Sequence, residues 1–385
     1  MPSVFSSPNA VLFGRGTTKE TGERLKGLGC TRVMVVYDKG VEEAGIIKII
    51  LENIHSAGIE TVSYGKVLPD PPDWSVDEAG ILGVEEKVDG VVGIGGGSSL
   101  DTAKGVKVLL DNPPPINQYF GRFKGVKNTT RPLLLVPTTA GTGSEQTPGG
   151  TITDTKQNAK NVVEIIGRTV DLAIVDPELT VSLPPSVTAV TGMDALCHLS
   201  ESFTSQWANR YCEAFSREGI PLVGRYLVRA FEEGSDLEAR EGMMFAASLG
   251  GMSMLGPLCH LGHDIGRRLG ANFNMPHGLS CSMCLPQVVE YIAPAVPEKV
   301  KFIAEALNAS VPRGADPAEI GRMAGEAVKE IMKKIDLPNM RSLGLAKKDV
   351  LAVAPEIFDL GLVTAPLKPT VKDIENMLTR AYEEI

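Results

Sequence analysis

The sequence predicts a two-domain chain: an N-terminal α/β domain over residues 1–185 and an all-helical domain over residues 186–385. Three observations lead there. Short β-branched runs alternate with helical stretches in the first half, the pattern of parallel strands joined by crossover helices. Beyond Pro184 and Pro185 those runs stop and helical periodicity takes over. A length of 385 residues also exceeds one ordinary core and suits two domains.

In chain order, strands are predicted over 31–37 (TRVMVVY), 59–64, 89–94 (DGVVGI), 132–136 (PLLLV) and 172–175, each followed at once by Gly, Pro or Asp. An amphipathic stretch over 41–55 predicts a helix between the first two, and 151–153 and 161–166 supply further short extended pieces. In the second half the apolar spacing predicts helices over 193–203, 216–231, 239–249, 315–335 and 371–382. No internal repeat or low-complexity segment interrupts this order.

Hydrophobic residues at 43% and charged residues at 22% are those of a globular protein. A net charge of -9 argues against a nucleic-acid partner, which requires clustered Lys and Arg. The first residues, MPSVFSSPNAVLFGRG, lack a basic stretch followed by an apolar run, and no segment reaches the ~18 apolar residues of a membrane span. The expectation is a cytoplasmic protein with neither a nucleic-acid nor a membrane partner. Six cysteines in so long a chain make no disulfide framework, and Cys281 with Cys284 forms a single CxxC that reads as two small buried residues.

Two loops carry phosphate-binding signals. In DGVVGIGGGSSLDTAKGV, Gly95, Gly96, Gly97 and Ser98 stand between a strand and a helix, where glycines admit close backbone approach and free N–H groups attract negative charge. A tight turn alone would also use these glycines. The second run, VPTTAGTGSEQT, offers Thr138, Thr139, Thr142 and Ser144 after another strand. Asp38 ends an earlier strand, where a carboxylate accepts hydrogen bonds from an adenosine ribose and repels a 2′-phosphate, favouring NAD over NADP; the same residue also reads as the cap of the helix near Val41.

Four of the five histidines, His198, His260, His263 and His277, fall within eighty residues. Asp194 and His198 are four apart, which puts both on one helical face as a two-ligand platform. His263 and His277 lie fourteen apart, and Pro276 and Gly278 place His277 at a helix start or turn. One carboxylate with imidazoles and no sulfur suits Fe(II), or Zn(II) as the alternative, at an open site able to polarise an oxygen.

Together GGGSSLDTAK, PTTAGTGSE, DPELTVSLPPSVTAVTGMDAL and HDIGRRLGANFNMPHG resemble the iron-containing alcohol dehydrogenase family, over most of the chain from Asp38 to about Pro286. The resemblance implies a dinucleotide-binding α/β domain, a helical metal- and substrate-binding domain, and a homodimer or larger homo-oligomer. It makes Asp194, His198, His263 and His277 the metal ligands. It also puts Gly96, Gly97, Ser98, Asp101, Thr138, Thr139, Thr142 and Lys160 on the cofactor side, Asp38 at the ribose, and Asp70 where the family commonly has Asn.

Departures from the family pattern bear on substrate. Four residues after the third ligand the family generally has a histidine that relays the alcohol proton; here stands Arg267, while Met254 and Gly256 replace a common Phe and Asn. Arginine stays protonated and is a poor relay. Arg267 either grips an acidic group on the substrate or pairs with a carboxylate of the fold, and either His260 or water takes over the relay.

The reaction implied interconverts a small alcohol and its aldehyde or ketone with NAD (NADP as alternative) and a divalent metal. The rivals are an NAD- and metal-dependent lyase of the dehydroquinate synthase type, which has a similar fold, and an inactive cofactor- and metal-binding sensor.

Overall fold

The structure, a computed structural model, describes Phe5 and residues 9–121, 124–126 and 129–384. The chain divides into two compact units. One covers the described residues from Asn9 to Thr139 and resumes over Gly143–Ser182; the other comprises Phe5, Ala140–Thr142 and the chain from Leu183 onward.

The first unit is built on β1 (Ala10–Phe13), β2 (Arg32–Asp38), β3 (Glu60–Val67), β4 (Gly90–Gly95), β5 (Leu133–Pro137), β6 (Gly149–Asp154), β7 (Ala159–Glu164) and β8 (Leu172–Val175). Among the described residues six of these form a parallel sheet in the order β1-β8-β5-β4-β2-β3, and β6 with β7 makes an antiparallel hairpin. The alternation along β2 shows why the sheet is covered on both sides. Val33 and Val35 pack with Ile47, Ile50 and Ile54, whereas Met34 and Val36 pack with Leu100, Ala103 and Val106. Parallel strands with helices on both faces bury every side chain, hence their near-continuous apolar sequence.

Strand order reverses at β2, which pairs with β3 on one side and β4 on the other. In such sheets ligands bind beyond the carboxyl ends of the strands at the reversal. Those ends are Asp38 and Gly95.

Two local features differ from the sequence expectation. Strand β1 was not among the predicted strands; it is a four-residue edge strand paired only with β8 among the described residues. The single helix expected over 41–55 is two, Lys39–Glu43 and Ile46–Ser56, separated where Gly45 takes φ 73°, a left-handed conformation that glycine adopts without steric cost.

The second unit is helical. Pro185 occupies the first turn of helix Pro185–Thr204, where its missing N–H costs nothing, and Asn209, Asp236 and Asp316 cap the helices that follow them. The CxxC cysteines are buried and are not joined in a disulfide, and burial pushes the Cys284 thiol up to about 12. No helix among the described residues is long and apolar enough to cross a membrane.

Candidate functional site

In the helical unit, helix Pro185–Thr204 carries Asp194 and His198 one turn apart, helix Leu261–Phe273 carries His263, and His277 opens helix His277–Ser282 directly after Pro276. The structure brings the four together: one donor atom from each lies within 4.8 Å of the others. His198 Nε2 and His277 Nε2 stand 3.7 and 4.0 Å from Asp194 Oδ1. A tetrahedral ion ~2.1 Å from each donor sets donors about 3.4 Å apart, so this cluster fits an ion after small side-chain adjustments. Gly278 permits the approach, because a Cβ there would lie 2.6 Å from the Val190 carbonyl and 2.9 Å from Asp194 Cβ. Asp194 and His198 are buried, while the His277 side chain is 35% exposed, which leaves the cluster one accessible side.

The rings are oriented from behind. His198 Nδ1 faces the Gly141 carbonyl at 3.4 Å, and His263 Nδ1 lies 2.9 Å from Glu201 Oε1. Each ring is thereby left to offer Nε2. Glu201 is 1% exposed; burial raises its carboxyl above the usual range, against the lowering effect of His260 and of the His263 and His260 backbone N–H groups. Sequence reasoning passed over Glu201. Its signal was an acid one helical turn after His198, in HLSE.

His260 does not lie on the helix that carries His263. It is the residue before that helix, fully buried, with Nε2 2.8 Å from the Thr204 hydroxyl. Burial pushes its imidazole down to about 4. A ring closed off from solvent and held neutral is poorly placed to relay a proton, so this geometry corrects the expectation for His260. Arg267 lies four residues after His263 on the same helix, hence on nearly the same face. Its side chain is 47% exposed, with Asp264 4.0 Å away at the outer limit of an ion pair.

In the α/β unit the glycine run forms the expected strand-to-helix turn, with Gly96 capping helix Gly97–Asp111. Gly95 has φ +143°, and a Cβ there would lie 2.5 Å from Ser99 Oγ and 2.9 Å from Asp38 Oδ2; only glycine fits. Asp38 does cap helix Lys39–Glu43, accepting from Val41 N at 3.1 Å, but its second oxygen accepts from the Ser99 hydroxyl at 2.8 Å. Its carboxylate therefore borders the turn beyond β4. Thr138 donates its N–H to the Gly95 carbonyl at 3.0 Å, and Thr139 Oγ1 lies 3.4 Å from where a Gly96 Cβ would stand, so the two loops meet. Thr142 falls in the short segment Ala140–Thr142 that groups with the helical unit.

Ser98 Oγ accepts from Asp70 N at 3.2 Å, and the Asp70 carboxylate pairs with Lys160 Nζ at 2.6 Å. Asp101 is turned inward: it accepts from Ser144 Oγ at 2.6 Å and Thr151 N at 2.9 Å, with Lys104 Nζ at 3.4 Å. It braces the second loop. The sequence also left Lys104 unassigned. Its buried ammonium donates to Ser144 O and Oγ, Thr147 Oγ1 and Gly149 O at 2.7 to 2.9 Å, locking that loop to helix Gly97–Asp111.

Comparison with known proteins agrees with both halves. Residues 8–177 match the model for iron-containing alcohol dehydrogenase, and residues 188–382 match that for the C-terminal part of the Fe-containing alcohol dehydrogenase family. The chain is 34% identical over 379 residues to the NAD-dependent methanol dehydrogenase of Bacillus methanolicus, covering 98% of this chain and 99% of that one. It is 34% identical over 365 residues to the sulfoacetaldehyde reductase of Bilophila wadsworthia (strain 3_1_6), covering 93% of each. A crystal structure of 1,3-propanediol oxidoreductase superposes with a TM-score of 0.92 at 31% identity, covering 99% of this chain and all of that one. With both matched regions spanning nearly the whole sequence, the chain belongs to the iron-containing alcohol dehydrogenase family.

Proposed function

We propose that this protein is an NAD-linked, Fe(II)-dependent oxidoreductase that interconverts a small alcohol and its aldehyde or ketone. The convergence of Asp194, His198, His263 and His277 carries the reading: a single carboxylate and three imidazoles suit Fe(II), with Zn(II) the alternative. When bound, the ion supplies Lewis-acid polarisation of an alcohol or carbonyl oxygen and the nicotinamide supplies the hydride acceptor or donor.

The chain's own groups do the rest. Gly96, Gly97 and Ser98 present the unpaired N–H groups of a helix start to the cofactor phosphates. Asp38 accepts from the ribose hydroxyls and disfavours a 2′-phosphate, hence NAD over NADP. A release of free NADH from an alcohol in proportion to turnover, in protein loaded with Fe(II) or Zn(II), is the expected result. Cofactor recycled without net NADH would favour the lyase, and no turnover on a broad alcohol and aldehyde screen would favour the inactive sensor.

A second reading concerns the substrate. The half-exposed Arg267 guanidinium, 4.0 Å from Asp264, is suited to a carboxylate or sulfonate on the substrate, which it can grip with two parallel hydrogen bonds. One relative is a sulfoacetaldehyde reductase, whose name gives an anionic substrate. Arg267→Ala should then impair acid-bearing aldehydes far more than neutral ones; equal losses on both sink the idea. A cytoplasmic homodimer or larger assembly completes the proposal, supported by six cysteines outside any disulfide, as a reducing compartment keeps them, and by the family resemblance.

A further inference from the structure

We propose that Glu201 is the positioning residue of the metal centre: its carboxylate holds His263 in the Nδ1–H tautomer, aims Nε2 at the ion, and anchors the start of the helix that carries this ligand. The inference rests on the metal reading above and goes beyond its four ligands.

Glu201 belongs to the same helix as Asp194 and His198, so one helix offers two donors and a brace for the third. Oε1 lies 2.9 Å from His263 Nδ1. Oε2 accepts from the backbone N–H of His260 at 2.7 Å and of His263 at 3.2 Å. Those two N–H groups belong to the cap and third positions of helix Leu261–Phe273, whose cap residue makes no side-chain cap bond of its own. A helix start leaves such donors without intrahelical acceptors, and here a neighbouring helix supplies the acceptor.

Gly262, between the two donors, makes room for it, since a Cβ there would lie 2.5 Å from Glu201 Oε1. The carboxylate thus fixes both the rotation of the helix and the rotation of the ring. Donating Nδ1–H to a carboxylate also makes the imidazole more basic and a stronger ligand. With neutral imidazoles, Asp194 and Glu201 together balance the two positive charges of the ion in a largely buried cluster.

The test reads metal binding rather than turnover. In wild-type protein carrying ¹⁵N-histidine and loaded with Zn(II), His263, identified by its loss in His263→Ala, should keep a slowly exchanging proton on Nδ1 and show the shift of coordination on Nε2. Coordination through Nδ1, or a rapidly exchanging Nδ1 proton, overturns the proposal while leaving the metal site standing. Zn(II) that shifts none of His198, His263 and His277 removes the metal reading and this proposal with it. Glu201→Gln should lower Zn(II) affinity 10- to 100-fold in competition with a chelator and alter the visible spectrum of the Co(II) form. Unchanged affinity and spectrum with a lowered melting temperature of the metal-free protein would mean that Glu201 only caps the helix, and would overturn the proposal. If Glu201→Gln does not fold, the wild-type spectrum still decides.

Discussion

Ser99 donates its hydroxyl to Asp38 at 2.8 Å, joining the first turn of helix Gly97–Asp111 to the end of β2. The bond holds a negative charge at the sheet's reversal point, beside the turn where a cofactor's phosphates would dock. Asp38→Asn keeps the cap on Val41 N but removes the charge. It should shift the NADP to NAD ratio of kcat/KM upward by about ten-fold, a change of ~1.4 kcal/mol. Steady-state kinetics with both cofactors checks it, and an unchanged ratio would remove Asp38 from the ribose.

Asp70 holds Lys160 at 2.6 Å while itself 48% exposed, in a backbone conformation with φ 48° that Asn also tolerates. Asp70→Asn should therefore cost less than ~1 kcal/mol of stability. It releases the Lys160 charge toward a bound dinucleotide, so NADH affinity should rise and become more salt-dependent. Fluorescence titrations at low and high salt measure both; no change in either would argue against Lys160 at the cofactor.

An ion held by the Asp194 cluster binds only the folded protein. At a free metal concentration 100 times its dissociation constant the gain is ~2.7 kcal/mol, or roughly 5 to 10 °C in melting temperature at ~2 to 4 °C per kcal/mol. Chelation should remove this gain, and His277→Ala should melt at one temperature with or without metal. Calorimetry with Fe(II) under anaerobic conditions, or with Zn(II), provides the measurement.

The last described helix, Val371–Glu384, is clamped by Arg380, which reaches Glu290 at 2.9 and 2.8 Å and Glu384 at 2.7 Å. The Arg380 hydrogen bond and, with it, Lys329 hold the Glu384 carboxyl down at about 2, against 4.5 for a free group. Between those values the unfolded chain binds more protons than the folded one. The stabilisation is present above pH 4.5 and is lost as pH falls toward 2. With the Glu384 side chain 32% exposed, solvent screening leaves ~1 kcal/mol. Glu384→Gln should flatten the acid side of a denaturation profile by that amount; an unchanged slope would mean the pair contributes nothing.

Local pattern was enough to read much of the molecule. The runs around Val33, Val91, Leu133 and Leu172 declare buried parallel strands, because a strand covered on both faces needs apolar residues at nearly every position. Asp194 and His198 declare a shared helical face because the helix repeat is set by backbone geometry. Histidine is scarce in this chain, so its clustering could be seen before any fold was known. Strand β1 escaped because four residues at a sheet edge carry too little pattern, and the helix break at Gly45 because an apolar stripe continues across it.

The sequence by itself determined the α/β-then-helical order, the glycine turn beyond β4, the clustering of four histidines and the shared helical face of Asp194 and His198, all of them properties of spacing along the chain, while the choice of four ligands came from the family resemblance. Only the tertiary structure decided that Asp101 turns to Ser144 rather than outward, that Lys104 locks the second loop, that His260 is buried against Thr204, and that Glu201 braces His263. Each of these joins groups 40 or more residues apart. Backbone periodicity sets which face a side chain occupies, but only the packing of one element on another determines which distant donor meets it.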